Sequence, residues 1–188
     1  MTHWLLTNTC YGNWLPGDPR GSVTSVRDLR PEDTQSESRI VHNRVGEPVE
    51  SHNPALYRSA QSKLKCPPIQ LTTEHAGIVL AQFQETCQFR GWRLEAVAVM
   101  FNHFHIVIGT DDTPGSKALS DLKAYASRSL NKRFGKPLSE TWWTMGGSTR
   151  LLLDEAAMIA AIRYVFERQP NPLVVWRAPG ADASGSVR

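Results

Sequence analysis

Apolar residues follow two rhythms along this chain, and between about residues 17 and 68 they follow neither. A strand pattern opens the chain at residues 4–14, where Leu5, Leu6, Thr7, Thr9 and Tyr11 precede the turn-rich run Leu15-Pro16-Gly17-Asp18-Pro19. The next fifty residues are polar and rich in Pro, Ser, Asn and Arg. They read as a long insertion with at most short helical pieces. A structureless run of that length is unusual inside one domain, so it is expected to wrap the domain, with Ala55 to Tyr57 and Leu64 as its stickier part. A helical rhythm begins after the candidate caps Thr72 and Thr73. Ala76, Val79, Leu80, Phe83 and Cys87 then share one stripe, which predicts a helix over 73–90 closed by Gly91.

Residues 94–101 and 103–109 read as two strands joined at Asn102 so tightly that they must pair antiparallel. After the turn Asp112-Thr113-Pro114-Gly115-Ser116, a second helix over 117–134 carries Leu119, Leu122, Ala126, Leu130 and Phe134, and Gly135-Lys136-Pro137 ends it. Residues 149–153 form a short fourth strand. Asp154 caps a third helix over 155–169, which Pro170 stops. The order predicts an α+β fold, a ferredoxin-like or RRM-like antiparallel sheet (βαββαβ) with an extra C-terminal helix. One domain is expected over residues 1–176, interrupted at 17–68, with a flexible tail at 177–188.

Composition narrows the class. With 188 residues, 40% hydrophobic and 21% charged, the chain suits one globular core and is neither a disulfide-stapled peptide nor a disordered tail. Cys10, Cys66 and Cys87 are odd in number and widely spaced, without a C-x-x-C pair, which fits a reducing cytoplasm. No basic leader with a long apolar run is visible, so a soluble cytoplasmic protein without membrane contact is expected.

Charge becomes informative once it is located. The chain carries 21 Lys plus Arg against 18 Asp plus Glu, a net +3. Residues 117–136 alone hold Lys117, Lys123, Arg128, Lys132, Arg133 and Lys136 against Asp121, a local excess of +5. Such a helix can track a phosphate backbone or can be merely a solvated face. Arg150, on the fourth strand, joins this candidate DNA-binding set. Trp142 and Trp143 are read as stacking on unpaired bases or as core. Gly146-Gly147-Ser148 could offer N–H groups to phosphate or simply turn the chain.

Candidate chemistry lies in His103-Phe104-His105. The period of two in a strand puts both imidazoles on one face, about 6.6 Å apart at Cα, with Phe104, Ile106 and Ile108 on the other. Two such histidines can share one metal or can be plain strand residues. On the third helix Ile159, Ile162, Val165 and Phe166 form the apolar stripe, and Tyr164 lies roughly 200° from Ile162. It should point away from the stripe, beside Ala160, Ala161, Glu167 and Arg168, as an edge-covering side chain or a phenolate nucleophile. Tyr125 on the second helix is the rival. A histidine-triad hydrolase is disfavoured because Val107 stands where a third His belongs, and paired H-x-Thr or H-x-Ser elements are absent. A non-enzymatic RRM-like nucleic-acid-binding module is the alternative, although the strands lack a clear pair of aromatic stacking motifs.

Taken together, these segments resemble the single-tyrosine HUH transposases of insertion sequences, and most closely their REP-associated tyrosine transposase branch. The carriers are Met100-Phe101-Asn102-His103-Phe104-His105-Ile106-Val107 and Ala161-Ile162-Arg163-Tyr164-Val165. The likeness extends to Leu122-Lys123-Ala124-Tyr125-Ala126-Ser127-Arg128 and Trp142-Trp143-Thr144-Met145-Gly146-Gly147-Ser148. Phe101 replaces the family's common Pro. Where relatives place a metal-binding Gln or Asn one turn after the tyrosine, this chain has Glu167, Arg168 and Gln169 at i+3, i+4 and i+5.

The resemblance implies cleavage and joining of single-stranded DNA at a hairpin-associated site. His103, His105 and a third ligand, Gln169 or alternatively Glu167, would hold Mg²⁺ or Mn²⁺. Tyr164 would form a 5′-phosphotyrosine and free a 3′-OH. It further implies a homodimer in which the tyrosine serves its own or a partner's His pair. A catalytically silent descendant keeping only the DNA grip is the remaining alternative.

Overall fold

The computed structural model describes residues 1–21, 25–27, 39–41 and 52–180. Over these the chain forms β1 (Thr2–Thr9), β2 (Ser25–Arg27), β3 (Arg39–Val41), α1 (Pro54–Ser62), α2 (Thr73–Arg90), β4 (Arg93–Val99), β5 (His103–Thr110), α3 (Gly115–Phe134), β6 (Ser148–Leu152), α4 (Glu155–Glu167) and β7 (Val174–Arg177). These elements fall into two compact units, one of Met1–Asn13 with Pro68–Arg188 and one of Trp14–Pro67.

In the first unit local chemistry sets the helix ends. Thr72 accepts from the His75 backbone N–H while His75 Nδ1 accepts from the Thr72 N–H, a reciprocal cap at the start of α2. Gly91 takes the left-handed conformation (φ 67°) that ends it. At α4, Asp154 accepts from the Ala157 N–H at 2.7 Å. The five strands align in the order β6-β1-β5-β4-β7, and every neighbouring pair is antiparallel. The α+β antiparallel fold expected from the sequence is thus the one observed.

Helices cover both faces of this sheet. On one, Leu6, Val97, Val99, Phe104, Ile106 and Ile108 meet α2 through Val79 and Phe83, and α3 through Leu119, Leu122 and Leu130. On the other, Ala96, Ala98, Met100, Val107 and Leu152 meet Ala161, Ile162 and Val165 of α4. A bulge decides which residues of β4 face which helix. Leu94 pairs with Ile108 and Ala96 with Val107, so Glu95 is an extra residue and the in-out alternation is shifted by one. Leu94 therefore belongs to the α2/α3 core, while Ala96 and Ala98 turn their small side chains to α4.

Two sequence expectations are corrected here, and one holds. The first strand ends at Thr9, well before residue 14, because the chain turns at Gly12 (φ 77°) and Trp14 (φ 57°), backbone values a strand cannot hold. The antiparallel pair closes as expected at Asn102, with the Met100 N–H bonded to the His103 carbonyl at 2.8 Å. An unexpected fifth strand, β7, pairs Val174 with Val99 and Arg177 with Ala96. It is short and follows a proline-rich connection, so its pattern is visible only beside β4.

The second unit contains α1, whose cap is Asn53 accepting from the Leu56 N–H at 3.0 Å, with Pro54 in the first turn. It also contains the β2–β3 pair and the buried Asp18, which accepts from Arg20 Nε and Nη2 at 2.8 and 2.7 Å. Residues 22–24, 28–38 and 42–51 of the expected 17–68 insertion, and 181–188 of the expected tail, lie outside the described residues. No helix among the described residues is long and apolar enough to cross a membrane.

Candidate active site

β5 presents opposite faces at successive residues. Phe104 is fully buried and sits edge-on between Phe83 (ring centroids 5.1 Å apart) and Trp143 (5.2 Å). That anchor turns His103 and His105 to the α4 side, where their rings stand 5.0 Å apart at an interplanar angle of 85°. The turn before them is tied down on two sides, because the Asn102 carbonyl accepts from the Cys10 N–H at 2.8 Å and the Phe101 carbonyl from the Leu71 N–H.

α4 brings the tyrosine to this face. Its buried Ala161 packs in the same core as Ala96 and Ala98, and small residues on both sides let helix and sheet approach closely. Tyr164, 42% exposed, then reaches the sheet with its ring 5.3 Å from that of His105, edge to face. The phenol ring and His105 thus meet within one chain. Tyr125 lies on α3, across the sheet from the histidines, and lines a groove with Phe89 and Gln82.

Each imidazole has a side-chain partner at Nδ1. His103 Nδ1 lies 2.6 Å from Asn102 Oδ1, and His105 Nδ1 lies 2.6 Å from Thr7 Oγ1, directly opposite on β1. Thr7 was not singled out by sequence reasoning. Nothing but the alternation of Leu5, Thr7 and Thr9 hints at its face, and only strand pairing shows what it touches.

Burial first, and then the neighbouring His103, push the His105 imidazole down from the ordinary 6.5 to about 4. The ring is therefore neutral at neutral pH. Between those two values the unfolded chain binds the proton and the folded chain does not, so stability rises with pH across the window and falls on acidification through it. The expected loss from this one group by pH 4 is roughly 3 kcal/mol, read as a falling urea midpoint in metal-free buffer. In His105→Gln most of that fall should be missing; an equal fall in the variant assigns the acid sensitivity to other groups.

Two imidazoles on one face suit a divalent ion with open positions. The third position is less complete. Gln169 donates through Nε2 to the Tyr164 carbonyl at 2.9 Å, closing the end of α4, and its Oε1 is the atom left for a ligand role. Among the described residues no three His, Cys, Asp or Glu side chains gather as a metal site.

Residues 69–148 match the family model described as Transposase IS200 like. The resemblance to the single-tyrosine HUH transposases is borne out. This IS200-like segment contains both histidines, whereas Thr7 and Tyr164 lie outside it and reach it through the sheet. Among solved structures, a REP-associated tyrosine transposase bound to a REP hairpin aligns with a TM-score of 0.46 at 10% identity, over 87% of this chain and 64% of that one. No curated protein matches the chain.

The basic residues of the IS200-like segment lie apart from the histidines. α3 packs on the opposite face of the sheet, and several of its cations are already engaged. Lys117 pairs with Asp121, which also holds Arg90 at 2.9 Å, and Arg133 pairs with Glu74 of α2 at 3.0 Å. Arg128 is exposed and sits over the Tyr125 ring, while Lys132 and Lys136 are exposed. Lys123 is turned inward and donates to the Thr144 and Gly146 carbonyls at 2.7 Å each, and burial pushes its amine down to about 8.

Of the two readings of the tryptophans, the structure shows the core one. Trp142 and Trp143 are buried, and their indole N–H groups donate to Asn131 Oδ1 and to the Lys123 carbonyl. Their faces belong to the core and are not available to stack on bases. Gly147 has a structural reason to be glycine, because a Cβ there would sit 2.6 Å from Leu119 Cδ2 and 2.7 Å from Asn8 Nδ2. Arg150 differs from the other cations. It is exposed and pairs with Leu5 on β1, so it shares the α4-side face with the histidines.

Proposed function

We propose that this chain is a transposase, a metal-dependent single-stranded DNA endonuclease and strand transferase that works through a 5′-phosphotyrosine at Tyr164. The observation that carries the reading is the placement of the half-exposed Tyr164 ring against His105. His103 and His105 would hold Mg²⁺ or Mn²⁺, with Gln169 as the third ligand. What the ion supplies when bound is Lewis-acid polarisation of the scissile phosphodiester and neutralisation of its charge.

The chain's own residues do the rest. The Tyr164 oxygen, having lost its proton, forms a bond to phosphorus while the bond from phosphorus to the 3′ oxygen breaks, and that oxygen takes up a proton as the leaving 3′-OH. Attack by a 3′-OH on the phosphotyrosine runs the same exchange backwards, so joining needs no nucleotide cofactor. Arg150 on the site's face, with Arg128 and Lys132 on α3, is read as drawing in the DNA backbone, with Lys117, Lys123 and Arg133 supporting from their paired positions. A hairpin-associated substrate follows from the family resemblance, and a cytoplasmic location from the three free, widely spaced cysteines.

The test is incubation with labelled single-stranded hairpin oligonucleotides and Mg²⁺ or Mn²⁺, followed by a denaturing gel. A covalent protein–DNA adduct is expected. DNA binding with no adduct across many hairpins and both metals supports the silent RRM-like binding module instead. The reading includes a homodimer with a complete site in each copy, since Tyr164 meets the histidine of its own chain. Mixing Tyr164→Phe with His103→Ala should then leave both inactive; recovered adduct formation shows that the tyrosine is exchanged between copies.

A further inference from the structure

The two ring nitrogens of a neutral histidine differ, because one carries the proton and the other keeps a lone pair. Which is which decides whether the Nε2 atom of His105 can accept or ligate anything at all. Position along the strand does not settle this, and at 7% exposure water is poorly placed to do so. A neighbouring side chain must.

The row of residues across the sheet names that neighbour. His105 pairs with Ala98 of β4 on one side and Thr7 of β1 on the other, and Ser148 lies beyond Thr7. Alanine offers nothing to an imidazole, whereas the Thr7 hydroxyl lies 2.6 Å from Nδ1. The second ring is held in the same way, its Nδ1 against Asn102 Oδ1, an atom that can only accept. Both rings are therefore engaged at Nδ1, from two different elements.

We propose that Thr7 is a positioning residue that accepts the Nδ1–H of His105, locking the ring in that tautomer and leaving the Nε2 lone pair on a ring beside Tyr164. This role deepens the transposase reading and rests on it for its purpose, since an Nε2 with a proton cannot serve as a ligand. Side chains behind a ligating histidine fix its tautomer and orientation in this manner, and their loss typically weakens metal binding by about 10- to 100-fold. Threonine suits the post for two reasons: its β-branched side chain fits a strand, and its restricted χ1 limits where the hydroxyl can swing.

The experiment uses the full chain without metal and reads the imidazole nitrogens by long-range ¹H–¹⁵N NMR at neutral pH. Wild type and Thr7→Ser should both show His105 with the proton on Nδ1, and Thr7→Val should show a mixture or the opposite tautomer. Mn²⁺ titration then follows, with Thr7→Val weaker than wild type by about 10- to 100-fold and Thr7→Ser close to wild type. An unchanged tautomer in Thr7→Val, or a wild-type His105 with its proton on Nε2, overturns the proposal. The second of those outcomes needs no variant, so misfolding of Thr7→Val cannot shelter the idea. If wild type binds no Mn²⁺ and forms no DNA adduct, the transposase reading fails, and the NMR comparison still decides what Thr7 does.

Discussion

Tyr164→Phe is expected to form no covalent adduct with single-stranded DNA while folding and binding DNA as wild type does. The substitution removes one oxygen and keeps the ring that packs edge-on against His105. Because Tyr164 is 42% exposed, the effect on stability should stay within about 0.5 kcal/mol. Activity has no such cushion, since phenylalanine has no atom that can bond to phosphorus. Tyr125→Phe is the matching control. Its ring is across the sheet from the histidines, under Arg128, and adduct formation should survive its loss. An adduct that persists in Tyr164→Phe and disappears in Tyr125→Phe would overturn the assignment.

Phe104→Ala should produce the largest loss of stability, about 3–5 kcal/mol, measured as the urea midpoint at constant slope. Phe104 is fully buried and fills the space between Phe83 on α2 and Trp143 on the strand-like run before β6. Removing it leaves a cavity lined by three elements, which can collapse only by moving β5. Domains of this kind are stable by only about 5–15 kcal/mol, so the variant should sit near its threshold. The same movement disturbs the two histidines flanking Phe104, and adduct formation should fall with stability. Phe101→Ala, at a 48% exposed position two residues before His103, is expected to cost little. A loss below about 1 kcal/mol for Phe104→Ala would show that the α2/α3 core does not hold the histidine strand in place.

The helices were the most legible part of the chain, for a local reason. Residue 73 was expected to begin α2 and residue 90 to end it, as observed, because Thr72, His75 and Gly91 act within one turn of the helix ends. In β5 the alternation of His103, Phe104, His105 and Ile106 was equally readable, since the pleat alone separates neighbours. β4 was not readable in the same way. Its sequence shows Leu94, Ala96 and Ala98 at equal spacing, yet the bulge at Glu95 sends Leu94 to one core and the alanines to the other.

Charge misled more than hydrophobicity did. Lys117 to Lys136 reads as a free cationic helix adjoining the histidine strand, but adjacency in sequence put α3 behind the sheet. Glu74 on α2 meets Arg133, and Asp121 on α3 itself is shared by Lys117 and Arg90. Arg150, a single cation in a short strand, is placed on the histidine face by pairing. The adjacent Trp142 and Trp143 carry both an apolar body and a polar tip, so sequence alone allows core or surface. Partners for both N–H groups inside the fold settle the matter.

What could be read directly from the order of residues was therefore the three helices α2, α3 and α4, four of the five strands of the main sheet, the α+β class, the shared face of His103 and His105, and the outward turn of Tyr164. Each depends on interactions within a few positions of one another. The meeting of Tyr164 with His105 and the hydrogen bond between Thr7 and His105, across 98 positions of sequence, required folding. Both follow from strand register and from how closely a helix can approach a sheet of small residues. Those are properties of surfaces that exist only after distant segments have packed together.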